Sequence, residues 1–205
     1  MRRLFRLCLA LLLSFALAPI AQAAVTITFW SHELGNHFPH AFITLRGTPD
    51  AGGAPVDANY GFTAKSISPA ILMGKVKSRM DVAKPAYVDG SDAQFSMVLT
   101  DAQYADMLSL IYEWSRPEIL YDLDSRNCIH FTKEAARRLG LIGLDQPKLM
   151  RRPRSYLQAV AAANAGRVLV LDQHGKRYLA SLAALPGPAY APALGVVPPP
   201  VVPTL

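Results

Sequence analysis

Asn127-Cys128-Ile129-His130-Phe131 opens a helical stretch, and roughly ninety residues upstream His40 heads the strand-like run His40-Ala41-Phe42-Ile43-Thr44-Leu45. A thiol in a helix's first turn and a histidine at a strand's head are the two groups that a cysteine hydrolase or acyltransferase needs. Asp124, Ser125 and Asn127 are all good N-cap residues. Whichever caps, the thiol meets unpaired backbone N–H groups and the positive end of the helix dipole, with Arg126 adjacent. The expectation is a thiol made more acidic, with Asn127 and Cys128 at a helix start whose N–H groups can also bind the oxyanion of a tetrahedral intermediate.

Cys128, Phe131, Ala135 and Leu139 recur at helical spacing, which turns the thiol toward the rest of the fold. The same stripe would suit an inert core cysteine. His40 is the expected base, able to take the thiol proton and return it to a leaving group. A third polar group should hold its ring. Asp57, Asn59 and Tyr60 on the adjoining strand are the candidates, with Asn59 favoured. His130 follows Cys128 by two residues, so on a helix it points roughly 200° away and is assigned a structural role. Trp30, Tyr60 and Tyr121 are candidates to line a substrate groove, although aromatic residues in strands more often pack a core. His32, Glu33, His37 and His40 could hold zinc from a loop. The helical metalloprotease spacing fails, however, because Asn36 stands where its second histidine belongs, and no metal or other cofactor is expected.

A histidine on an early strand followed by a cysteine at a later helix start reverses the order found in papain. It resembles the circularly permuted branch of the NlpC-type papain-like fold, which includes the lecithin retinol acyltransferase family. Asn127-Cys128-Ile129-His130-Phe131 is similar to that family's Asn-Cys-Glu-His-Phe block, with Ile129 in place of the glutamate, and the His40–Leu45 run is similar to its histidine strand. The resemblance covers roughly residues 25–139. It implies an antiparallel sheet packed against the cysteine helix, with Cys128 as nucleophile and His40 as base. The permuted members include cell-wall amidases, thioesterases and lipid acyltransferases, so the fold leaves the substrate open.

Residues 1–23 have the features of a secretory leader: Arg2, Arg3 and Arg6, an apolar run from Leu7 to Ala18, and Ala21-Gln22-Ala23 as a cleavage site. Its removal would take Cys8 and three arginines, leaving 18 basic residues against 15 acidic and Cys128 as the sole thiol. One thiol in an oxidising compartment is a liability or a tool. A periplasmic or secreted location follows, with peptidoglycan peptides as the first substrate expectation and lipid or lipoprotein acyl groups as the second. A non-catalytic envelope-binding protein is the alternative from another class. Neither a nucleic-acid partner nor stable membrane insertion is expected.

These residues need elements to position them. Strands are expected over residues 25–30, 40–46, 56–62, 76–82 and 94–99, the second and third forming a hairpin. A short helix should run from Ser68 to Gly74, and longer ones over residues 102–115 (capped at Thr100 or Asp101), 127–139 and 153–164. Residues 168–172 and 176–182 suggest a late hairpin around Gln173-His174-Gly175, and the proline-rich residues 185–205 a disordered tail. Strands and helices mix without regular alternation, which indicates one α+β domain over residues 24–184.

Overall fold

β-Branched and aromatic residues alternate inward and outward along Val25–His32 (β1), His40–Gly47 (β2) and Val56–Ala64 (β3), which form the centre of a 7-stranded antiparallel sheet. The computed structural model describes residues 24–33 and 39–183. The remaining strands are Val76–Asp81 (β4), Asp92–Leu99 (β5), Leu120–Tyr121 (β6) and Leu169–His174 (β7), and the spatial order is β6-β4-β3-β2-β1-β5-β7. The helices are Pro85–Asp89 (α1), Asp101–Ser115 (α2), Cys128–Arg138 (α3), Pro153–Ala163 (α4) and Gly175–Ala183 (α5). The fold is α+β, as the mixture of elements indicated. The expected leader, the expected tail and His37 lie outside the described residues.

Alternation divides the sheet into two apolar faces. Ile27, Phe29, Ala41, Ile43, Leu45 and Phe62 face α2, α3 and α4, and this side holds the larger core. Trp30, Phe42 and Ala93 face the other way and are covered by Val88 of α1 and Tyr178 of α5. Helix α3 lies over β2 and β3 with Phe131 fully buried, its ring edge-on to Trp114 of α2 at 5.5 Å. Arg138 joins α3 to α2 through Asp106 and Glu113.

One feature of the register creates the site. β3 pairs with β2 only from Val56 to Tyr60, and from Gly61 to Ala64 it pairs with β4 instead. The sheet therefore splits between β2 and β3 at the end where β2 begins. His40 and Ala41 face this split without a β3 partner.

The expected late hairpin is not formed. Its first half is β7, but its second half is α5. Gly175, Tyr178, Leu179 and Leu182 follow the i, i+3, i+4, i+7 spacing of a helix, which places three apolar side chains on the second core. The Gly175 N–H donates to Ser91 O, and a Cβ there would lie 2.3 Å from Val88 O, so glycine lets the chain turn against α1. The expected Ser68–Gly74 helix is a 3-10 turn over Pro69–Met73 with no buried residue.

Candidate active-site cleft

The cysteine helix starts where its cap dictates. Asn127 is buried and extended, and its Oδ1 accepts from the N–H of Ile129 at 2.8 Å and of His130 at 3.2 Å. The Asn127 N–H donates to His130 Nδ1 at 3.2 Å, completing a capping box with histidine in the position usually held by glutamate or glutamine. His130 thus has the structural role expected of it. Asn127 Nδ2 donates to Leu123 O and Met150 O, both at 2.8 Å, so one side chain ties the helix start to the chain on both sides. Asn127 is consumed by this work. The N–H groups that face the sulfur are those of Cys128, Ile129 and, from across the split, Ala41 of β2. Because Ile129 N–H already serves Asn127, Cys128 and Ala41 are the donors best placed to receive a further anionic oxygen.

Cys128 is the free cysteine among the described residues, and it is buried. Burial raises its pKa to about 11, outweighing the lowering by the three backbone N–H groups. This corrects the expectation of an acidified thiol: the helix start acts in the expected direction, but desolvation is larger. His40 is affected in the opposite sense. Burial, with His32 beside it across the β1–β2 pair, lowers its pKa to about 4. At neutral pH the pair is therefore thiol and neutral imidazole, not thiolate and imidazolium.

Cys128 and His40 line one cleft of about 500 Å³ at the split in the sheet. They reach it from opposite faces: Ala41, beside the sulfur, belongs to the larger core, whereas His40 stacks along Phe42 at 6.2 Å on the other side. The parting of β2 from β3 is what allows a helix on one face and a histidine on the other to share a cavity. Gly61 seats the ring. A Cβ at that position would lie 2.4 Å from His40 Nε2 and 3.2 Å from Phe42 Cβ. Tyr87 and Tyr121 also line the cleft, and each has its phenol pKa raised by burial first and by Cys128 second, so both hydroxyls remain protonated donors near the sulfur. Tyr87 is held by stacking on His32 at 4.1 Å, whose Nδ1 is 3.0 Å from Ser91 Oγ.

The three candidates for a ring-holding group have other partners. Asp57 accepts from Arg46 Nε at 2.8 Å, and Tyr60 is buried in the larger core. Asn59 lines the cleft, but its amide bonds Ala83 twice: Nδ2 donates to Ala83 O at 3.0 Å and Oδ1 accepts from Ala83 N–H at 2.6 Å. It fastens the loop after β4 and makes no bond to His40. Among the described residues the His40 ring has no hydrogen-bond partner, and its nearest polar neighbour in register is His32.

Trp30 and Tyr60 do not line the cleft. Trp30 is fully buried against Phe42 and Tyr178, with Nε1 donating to Thr44 Oγ1 at 2.9 Å; both aromatic residues are core, a correction to the groove expectation. Among the described residues no cluster of three His, Cys, Asp or Glu side chains could hold a metal ion, and Glu33 instead faces Arg154 at 3.5 Å. No helix among the described residues is long and apolar enough to cross a membrane. Sequence reasoning missed Ala41, Gly61 and Tyr87. Only Gly61 carries a signal, since an isolated glycine inside a strand often marks the close approach of another group. No family model, curated protein or solved structure matches the chain.

Proposed function

We propose that this protein is a cysteine hydrolase or acyltransferase of the permuted papain-like kind, acting on an amide or ester carbonyl. The observation that carries this reading is the convergence of Cys128, His40 and the Ala41 N–H at one cleft, built from elements 88 residues apart in sequence. With both groups neutral, the first step is concerted. A His40 ring nitrogen takes the Cys128 proton as the sulfur bonds to the carbonyl carbon, and the carbonyl electron pair moves to its oxygen. The N–H groups of Cys128 and Ala41 receive that oxyanion. Collapse expels the amine or alcohol, which takes the proton from His40, and leaves a thioester. Water, deprotonated by His40, then releases the acid and restores the thiol; an acceptor amine or alcohol in its place would make the reaction a transfer.

The cleft is lined by both charged and apolar side chains. Lys65, Arg79 and Lys84 line it beside Asp81, which favours a substrate carrying carboxylate or phosphate near the scissile carbonyl. Peptidoglycan stem peptides, the first expectation from the secretory leader, carry such carboxylates. Lipid or lipoprotein acyl groups are the second reading, favoured by Ile67 and Val82 on the same wall. Purified protein incubated with peptidoglycan fragments and with anionic phospholipid, beside Cys128→Ala and His40→Ala, tests both readings by mass spectrometry of the products. Product from one substrate, lost in both variants, supports the mechanism and names the class. Product that persists in Cys128→Ala overturns the mechanism, and no product from either substrate leaves a binding module in its place.

A further inference from the structure

The segment joining β3 to β4 carries large apolar side chains that nothing among the described residues buries. Ile67 is 66% exposed, Leu72 75% and Met73 88%, and the 3-10 turn that holds the last two contains no buried residue. Ile67 also lines the cleft, together with Val82, which is 50% exposed at the far end of β4. Such a concentration on one protrusion marks a surface that meets something apolar.

Its charge identifies the partner. Between residues 65 and 84 stand Lys65, Lys75, Lys77, Arg79 and Lys84, and the only carboxylate is Asp81, which faces Arg79 at 3.3 Å. None of the four lysines makes an ion pair among the described residues, although Lys75 stands near enough to Asp122 to add to the hydrogen bonds from Ser125 and Asp124 that hold its carboxyl low. Lys65 and Lys77 are joined by a backbone hydrogen bond at the base of the protrusion, so with Lys75 they collar the apolar tip, while Arg79 and Lys84 carry the positive charge along β4 to the cleft. A second copy docking through the same surface about a twofold axis would oppose like charges. A carbohydrate polymer offers no apolar phase for Leu72 and Met73.

We infer that the 65–84 surface docks peripherally on an anionic phospholipid bilayer, with Leu72 and Met73 entering the headgroup–acyl boundary and the lysine collar meeting the phosphates. This orientation places the mouth of the Cys128–His40 cleft at the headgroups. That the acyl donor is drawn from the bilayer rests on the proposed function; the docking does not.

The test is made in the full chain with Cys8→Ser and Cys128→Ser, so that docking is read without the chemistry. An environment-sensitive fluorophore is attached through Met73→Cys or, as a control in the α3–α4 loop, Ile142→Cys. Vesicles contain either phosphatidylcholine alone or phosphatidylcholine with phosphatidylglycerol. The expected result is a blue shift at position 73 with the anionic vesicles alone and none at position 142. Replacing Lys65, Lys75, Lys77 and Lys84 together with Gln should weaken vesicle binding roughly fivefold for each lysine at the surface. A label at position 73 that stays in water on vesicles carrying the protein would overturn the inference. So would equal shifts on the two vesicle types, or a shift that follows protein concentration without vesicles and coincides with dimers in ultracentrifugation. If docking holds but a bilayer-borne ester is not turned over by the Cys128 chain, the lipid-acyl reading of the proposed function has failed and the docking has not.

Discussion

Gly61→Ala should separate catalysis from folding. The added methyl would stand 2.4 Å from His40 Nε2 and 3.2 Å from Phe42 Cβ. Ordinary contact begins near 3.4 Å, so the imidazole must move by about 1 Å, while Phe42 has only a few tenths of an ångström to yield. The stability terms nearly cancel. Alanine in a strand interior gains about 0.5–1 kcal/mol over glycine, and an off-rotamer histidine costs about 0.5–1.5 kcal/mol. Misplacing a catalytic group by about 1 Å, however, can cost on the order of 100-fold in rate. The assay is acylation of Cys128 by an activated ester in single turnover, beside a thermal melt. The expected outcome is a melting temperature within about 3 °C of wild type and a 10- to 100-fold slower acylation. Unchanged acylation in a folded variant would refute the assignment of His40 as base, because its ring would then have moved without consequence.

Three further outcomes follow from the same geometry. Alkylation of Cys128 by iodoacetamide should rise about tenfold per pH unit between pH 7 and 10, as a thiol with a pKa of about 11 requires; a rate plateau between pH 5 and 8 would mean a preformed thiolate–imidazolium pair. His40 is held neutral, with its folded pKa of about 4 below the unfolded value of 6.5. The stability it confers is therefore present above pH 6.5 and lost as pH falls from 6.5 through 4. The denaturation free energy of wild type relative to His40→Gln should decline by about 2.5 kcal/mol across that window, with urea titrations as the check and a pH-independent difference as the contrary result. Asn127→Ala removes the helix cap and both tethers of the buried amide, and should lower the unfolding free energy by about 2–3 kcal/mol, measured by chemical denaturation.

Strand and helix positions were legible wherever a pattern was long and its stops were chemical. Thr100 and Gln103 form the capping box expected of α2, and Gly140, at φ +71°, ends the cysteine helix as glycine should. The expected strand over residues 176–182 is a helix because its apolar side chains fall at helical spacing, and the second core they complete is a tertiary matter. That Cys128 and His40 could meet was legible from type and position, and both line one cleft. Their protonation was not, since it depends on how deeply the helix start is buried. The role of Ala41 was also invisible, because a backbone N–H has no sequence signature and this one is exposed to the sulfur only by the register change at Gly61. Asn59, favoured to hold the histidine ring, lines the cleft, but Ala83 offers its amide a closed pair of backbone hydrogen bonds.

The most direct measurement is to trap the acyl-enzyme. The protein is quenched in acid during turnover of an activated acyl ester and digested, and the peptide carrying residues 127–138 is mass-analysed. The expected result is one acyl group on Cys128 as a thioester labile to hydroxylamine, absent in Cys128→Ala and at least tenfold less abundant in His40→Ala. An acyl group on any other side chain, or ester turnover undiminished in Cys128→Ala, would contradict the assignment of Cys128 as the nucleophile.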